Sequence, residues 1–272
     1  MNARPIGVFD SGVGGLTVLR ALRAALPAED FLYLGDTARL PYGTKSRESI
    51  VRYSIQAAGA LVDRDIKCLV VACNTASAVA LEELRRKLDP LPVVGVLEPG
   101  ARAACEASKN GRIAVLATEG TVQGGAYQAA IHRIRPAAQV IAQACALFVA
   151  LAEEGWTEGP LVEGIVRRYL EPIFSPAIEP HPDCLVLGCT HFPVLQPVIR
   201  SVLESDIAIV DSAETTTREV LKLLTASRLA NDSGRRGRIS LMATDGQYRF
   251  ARVGGLFFGE SVSPEAVRLI DL

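Results

Sequence analysis

One eight-residue pattern occurs twice in this chain: Cys184-Leu-Val-Leu-Gly-Cys189-Thr-His191 has an earlier counterpart in Cys68-Leu-Val-Val-Ala-Cys73-Asn-Thr75. In each copy a cysteine opens an apolar run, a small residue follows the run, and a second cysteine precedes two polar residues. A continuous apolar run of this length reads as a strand buried on both faces. Cys73 and Cys189 therefore fall where a strand gives way to a loop. In open α/β sheets, ligands sit at the carboxyl ends of strands. The repeat points to two similar units that present a thiol each to one site.

The surrounding chain alternates β-rich runs with stretches of helical period. Strands are predicted over Ile6–Asp10, over Phe31–Gly35 and in the run ending at Cys73. Helices are predicted over Leu16–Ala25 and Ser46–Val62, and a third, capped by Asn74 or Thr75, runs to Lys87. Val93–Leu97 reads as a strand, and Glu98-Pro99-Gly100 opens another helix. The scheme then restarts. Ile113-Ala-Val-Leu-Ala-Thr118 resembles Ile6-Gly-Val-Phe-Asp10-Ser11, at nearly the offset that separates the two cysteine strands. This suggests an internal duplication. Val140–Gln143, a helix over Leu161–Ile173, the second cysteine strand and a helix over Val194–Leu203 complete the second unit. A tail with strands at Ile207–Val210 and Ile239–Ala243, a helix over Ala213–Ala226 and a closing segment Val267–Leu272 is too short for a third domain. It is expected to return to the first. The resulting fold class is α/β, with two similar parallel-sheet domains related by pseudo-symmetry: 1–97 with 207–272, and 98–206. The polar loop Asn231–Arg238 is expected to be exposed and mobile.

A net charge of −1 gives no electrostatic reason for nucleic acid or an anionic membrane as partner. No secretory segment precedes Ile6, and the apolar run around Cys145–Ala152 is too short to cross a bilayer. A cytoplasmic protein with reduced thiols is expected, not one with three disulfides drawn from its six cysteines. No metal is expected either. Cys68 and Cys73 lie an odd number of positions apart, as do Cys184 and Cys189, so each pair points to opposite faces of its strand.

The loop Gly12-Val-Gly-Gly15 lacks the third glycine of a dinucleotide fingerprint, because Thr17 stands at the second-next position after Gly15. Two readings stay open for it: backbone brought close to a small anion, or a tight βα turn. Asp10, at a strand end, is either a turn-former or a carboxylate facing a cleft. Asn74, Thr75, Thr190 and His191 set donors and a titratable group beside the two thiols. Two facing thiols can serve as a dithiol–disulfide couple, with α-carbons within about 7 Å. They can also invert a carbon centre, one removing a proton as the other delivers one from the opposite face.

Phe9-Asp-Ser-Gly-Val-Gly-Gly15, Tyr33-Leu-Gly-Asp-Thr-Ala-Arg-Leu-Pro-Tyr-Gly43, Ala72-Cys-Asn-Thr-Ala76, Glu98-Pro-Gly100 and Leu187-Gly-Cys-Thr-His-Phe-Pro193 together resemble the aspartate/glutamate racemase family, and within it the glutamate racemases. The resemblance covers nearly the whole chain. It implies two α/β domains with the site in the cleft between them, and cofactor-independent supply of D-glutamate for bacterial peptidoglycan. It implies Cys73 and Cys189 as the acid/base thiols, Asp10 and His191 assisting one each, and Glu153 in support. The substrate contacts it implies are Asp10, Ser11, Tyr42, Gly43, Asn74, Thr75, Thr118, Thr121, Thr190 and His191. It also implies glutamate as the small-molecule partner, a homodimer, and no pyridoxal phosphate, metal or nucleotide. The segment Cys145–Glu153 lacks prolines that the family usually carries there. Alternatives are a racemase of another acidic amino acid such as aspartate, a non-catalytic two-domain amino-acid-binding protein, and a thiol redox protein.

Overall fold

Alternate residues of each central strand enter opposite cores, which is why the strands read as unbroken apolar runs. In the computed structural model, which describes residues 3–175, 180–203 and 206–272, β1 (Ile6–Asp10) sends Ile6 and Val8 to one core and Phe9 to another. Its neighbour β3 (Cys68–Val71) does the same with Cys68 and Val70 against Leu69 and Val71. In the other half, β7 (Cys184–Gly188) divides Cys184 and Val186 from Leu185 and Leu187. Each such side chain contributes about 1.5–3 kcal/mol when fully buried, so neither sheet face can be left bare.

The first sheet adds β2 (Phe31–Gly35), β4 (Val93–Gly95), β9 (Ile239–Ala243) and β10 (Val267–Leu269), in the order β10-β9-β2-β1-β3-β4. The second consists of β5 (Arg112–Ala117), β6 (Gln139–Ala144), β7 and β8 (Ala208–Asp211), in the order β6-β5-β7-β8. All pairings are parallel. The arrangement β2-β1-β3-β4 repeats as β6-β5-β7-β8. Even the register repeats: Ile6 faces Cys68, and Ile113 faces Cys184. The duplication suggested by sequence is thus present as topology, and both cysteine strands are central in their sheets.

Helices cover both sheets. On the first lie α1 (Leu16–Ala25), α2 (Arg47–Val62), α3 (Asn74–Leu88), α10 (Ser212–Ala226) and α11 (Gln247–Phe258). The second unit contributes α4 (Leu97–Ala107), α5 (Glu119–Gln123), α6 (Ala126–Ile134), α7 (Ala146–Glu154), α8 (Pro160–Phe174) and α9 (Gln196–Val202). Helices α5, α6, α7 and α11 were not among the elements expected from sequence.

Several expectations are corrected. The run at 207–210, assigned above to the first domain, forms β8 and pairs with β7 in the second sheet, where Val210 is buried beside Val186. The tail returns to the first domain only from α10 onward. Strand β4 stops at Gly95 because α4 already begins at Leu97. Cys73 itself occupies the cap position of α3, in place of Asn74 or Thr75. The helix after Cys189 begins as a single 3-10 turn over Phe192–Leu195 before α9.

The loop at 231–238 is mostly exposed yet hydrogen-bonded along its length. Asn231 N donates to Glu29 Oε1 at 2.7 Å, Gly237 N to Pro27 O at 2.8 Å, and Arg235 to Asp30 at 2.6 Å. Glu29 is in turn the buried ion-pair partner of Lys67, whose Nζ also donates to Leu229 O at 2.8 Å.

Candidate active site

The carboxyl ends of β1, β3, β5 and β7 converge, and so do the polar residues that follow them. Cys73 is the N-cap residue of α3, its Sγ accepting from Ala76 N at 3.4 Å and donating to Ser11 Oγ at 3.4 Å. Burial pushes this thiol up to about 12, and the Asp10 charge pushes the same way. The contacts from Ser11 and Ala76 oppose the shift without cancelling it. Cys189 is among the charges acting on Cys73, so the two sulfurs lie within electrostatic reach of each other. All six cysteines are free.

Asp10 is 1% exposed and ends β1. Its Oδ2 accepts from Gly12 N at 2.9 Å, while Oδ1 is buried without a hydrogen-bond partner. Burial raises this carboxyl, partly offset by the His191 charge and the amides of Gly15, Gly12 and Ser11.

The second thiol has a different escort. His191 Nδ1 lies 3.8 Å from Cys189 Sγ, and Nε2 lies 3.1 Å from Glu153 Oε1. Glu153 Oε2 accepts from Arg249 at 2.7 Å. The Phe257 ring meets the imidazole edge-on, with centroids 5.1 Å apart. Burial alone would strip the proton from His191. The hydrogen bonds to Cys189 and Glu153, with the charges of Cys189 and Asp10, outweigh it and raise the imidazole to about 10. Glu153 is correspondingly held below the ordinary carboxylate range, since its bonds to His191 and Arg249 overcome the effect of burial. With no proline in the segment, α7 runs unbroken to Glu154 and sets Glu153 in its last turn.

Hydroxyl and amide groups that follow the strand ends bond to one another. Thr75, Thr118 and Thr121 form a triangle of Oγ1 atoms with sides of 3.1, 3.3 and 3.0 Å. Tyr127 Oη donates to Asn74 Oδ1 at 2.7 Å, and Asn74 Nδ2 donates to Ser212 Oγ at 3.2 Å. Thr17 Oγ1 bonds Thr190 O at 3.2 Å, tying α1 to the second thiol loop.

The structure brings together Asp10, Ser11, Cys73, Asn74, Thr75, Thr118, Thr121, Cys189, Thr190, His191 and Glu153. Tyr42 differs, because its hydroxyl donates to buried Asp36 and its ring packs between Phe9 and Tyr53. It anchors the turn in which Gly43 lies against Thr118. The glycine loop forms a tight βα turn, with Leu16 N donating to Val13 O and Thr17 N to Gly14 O, each at 3.1 Å. A β-carbon on Gly14 would lie 2.4 Å from His191 Nδ1, and one on Gly15 would lie 2.6 Å from the Asp10 Cβ. These glycines let the two domains, and the loop and its strand, approach closely. Arg249, Phe257, Tyr127 and Ser212 were not singled out from sequence, since each acts across a long stretch of chain.

Among the described residues no cluster of three or more His, Cys, Asp or Glu is arranged to hold a metal ion, and no helix is long and apolar enough to cross a membrane.

A family model described as Asp/Glu/Hydantoin racemase matches residues 6–220. The glutamate racemase of Geobacter metallireducens is 50% identical over 259 residues, covering 95% of this chain and 94% of its own. That of Aquifex aeolicus is 45% identical over 260 residues, covering 96% of each. The crystal structure of the Francisella tularensis glutamate racemase in complex with D-glutamate superposes with a TM-score of 0.90 at 34% identity, over 99% of this chain and 98% of that one. The aspartate racemase of Picrophilus torridus, at 16% identity and a TM-score of 0.59, shares the fold alone.

Proposed function

Because this chain belongs to the Asp/Glu/hydantoin racemase family, and within it to the glutamate racemases, we propose that it interconverts L- and D-glutamate by a two-base thiol mechanism. The observation that carries the reading is the pair of cysteines that follow equivalent strands of the two sheets, Cys73 a buried thiol beside Ser11 and Cys189 beside the His191 ring. Cys73 is a buried thiol that keeps its proton. Cys189 stands beside an imidazolium, the natural counter-ion for a thiolate.

In one direction the Cys189 thiolate removes the substrate α-proton, and its electron pair becomes an S–H bond. The electrons of the broken C–H bond pass into the α-carboxylate, giving an enediolate-like species. The Cys73 thiol then gives its proton to the opposite face of the same carbon, inverting it and leaving a thiolate at Cys73. The reverse direction uses the same groups in exchanged roles. Charge on the carboxylate is met by the hydroxyl and amide shell of Ser11, Asn74, Thr75, Thr118, Thr121 and Thr190, placed before reaction begins. Asp10 supports the Cys73 side, and His191 with Glu153 supports the Cys189 side. Glutamate is preferred to aspartate in this reading because the near-full-length likeness is to glutamate racemases, whereas the aspartate enzyme shares only the fold. The family resemblance further supports a cytoplasmic homodimer that supplies D-glutamate to peptidoglycan.

The test is to incubate each enantiomer of glutamate, and of aspartate, in deuterated water with wild type, Cys73→Ala and Cys189→Ala. The expected result is glutamate racemisation with α-deuteration in wild type and no racemisation in either variant. Full racemisation by either variant would remove that thiol as an essential base.

A further inference from the structure

The two thiols are served from different places. Ser11, Asp10 and Ala76, which surround Cys73, all belong to the first domain. The Cys189 side is assembled from both, with Cys189, His191 and Glu153 in the second domain and Arg249 and Phe257 on α11 of the first. We infer that Arg249 is a positioning residue of the Cys189 side: by holding Glu153 across the domain boundary, it aims His191 at the sulfur only when the two domains are together. This rests on the two-thiol reading above.

Glu153 has two carboxylate oxygens and each is committed, Oε1 to His191 and Oε2 to Arg249. A carboxylate in the last turn of a helix can turn toward water, and the second bond prevents it. With Nε2 of the imidazole so held, and Phe257 against the ring, Nδ1 is left facing Cys189 Sγ at 3.8 Å. Arg249 is 53% exposed and reaches the thiol only through two intervening side chains. Its own removal does not subtract a group from the reacting centre.

Positioning and simple charge make opposite predictions. The charged or titratable groups acting on His191 are Cys189 from its own loop, Glu153 from α7 and Asp10 from β1, with Arg249 one carboxylate beyond. Acting as a cation alone, Arg249 would repel the imidazolium, and losing it would raise the midpoint at which His191 titrates. Acting as a positioner, its loss frees Glu153, and the midpoint falls toward the ordinary imidazole value of about 6.5.

The chain has only three histidines, so ring-nitrogen NMR titrations resolve His191 readily. The full chain should be compared as wild type, Arg249→Met and Arg249→Lys. The expected result is a midpoint lower by about one pH unit or more in Arg249→Met, with turnover down about tenfold and KM nearly unchanged. Arg249→Lys should restore most of both. An unchanged or raised midpoint in the folded Met variant, or no recovery with Lys, would overturn the inference. Wild-type turnover in Cys189→Ala would instead overturn the two-thiol reading, a result on which the histidine titration does not depend.

Discussion

Replacing Gly14 by alanine puts a methyl group where the two domains meet. The added carbon would lie 2.4 Å from His191 Nδ1 and 2.6 Å from Thr190 Oγ1. Ordinary carbon contacts need about 3.5 Å, so the loop or the domain boundary must give by about 1 Å. A displacement of that size at a reacting centre can cost about a hundredfold in rate, or about 3 kcal/mol of barrier. Overpacking should cost stability as well, by about 1–3 kcal/mol. Gly12→Ala is the steric comparison, because its β-carbon meets nothing nearer than Leu40 at 3.7 Å and Gly12 has no positive φ. Initial rates followed by circular dichroism, with urea melts in parallel, should show turnover in Gly14→Ala down about a hundredfold and in Gly12→Ala down by less than about threefold. Equal turnover in the two variants would refute the claim that close approach of the glycine loop to His191 sets the geometry.

Tyr127→Phe leaves buried Asn74 Oδ1 without its donor, which should cost about 1–3 kcal/mol of stability and raise KM for glutamate about tenfold, measured by urea melts and steady-state kinetics. Lys67→Met strands Glu29 in the interior and should destabilise by about 3–5 kcal/mol, again read from urea melts, with turnover at saturating glutamate unchanged if the protein remains folded. His191 titrates at about 10 in the folded chain, above its ordinary value of 6.5. Its contribution to stability is therefore fully present below about 6.5 and lost as pH rises through about 10. Denaturant midpoints taken between pH 7 and 10 should fall more steeply for wild type than for His191→Asn, and parallel curves would contradict the shift.

Local pattern made the strands legible, because a residue buried on both faces leaves its mark in an unbroken apolar run. The two repeats, of the Ile6 and Ile113 runs and of the cysteine strands, suggested a duplication, and the fold pairs Ile6 with Cys68 and Ile113 with Cys184 in the same register. Which sheet a strand joins is a non-local matter. Ile207-Ala-Ile-Val210 is apolar enough for either, and pairing with Cys184–Leu187 decided it. Helix α11 buries Phe250, Val253 and Phe257 at helical spacing, but the adjacent Gly254 and Gly255 weaken its local helical signal. Arg249 could not be tied to Glu153 by any local signal, being 96 positions away in sequence. Tyr127 is likewise 53 positions from Asn74. The thiol loops carry the chemistry in short motifs, whereas the groups that orient them come from wherever the fold brings a side chain.

The most direct measurement is the isotopic content of both enantiomers at low conversion in deuterated water, after chiral separation and mass spectrometry. With a separate thiol on each face of the carbon, product should carry deuterium while recovered substrate keeps its original hydrogen, whichever enantiomer is supplied. Deuterium entering recovered substrate as fast as product forms would mean that one base returns solvent hydrogen to the face it came from, contrary to the two-thiol account.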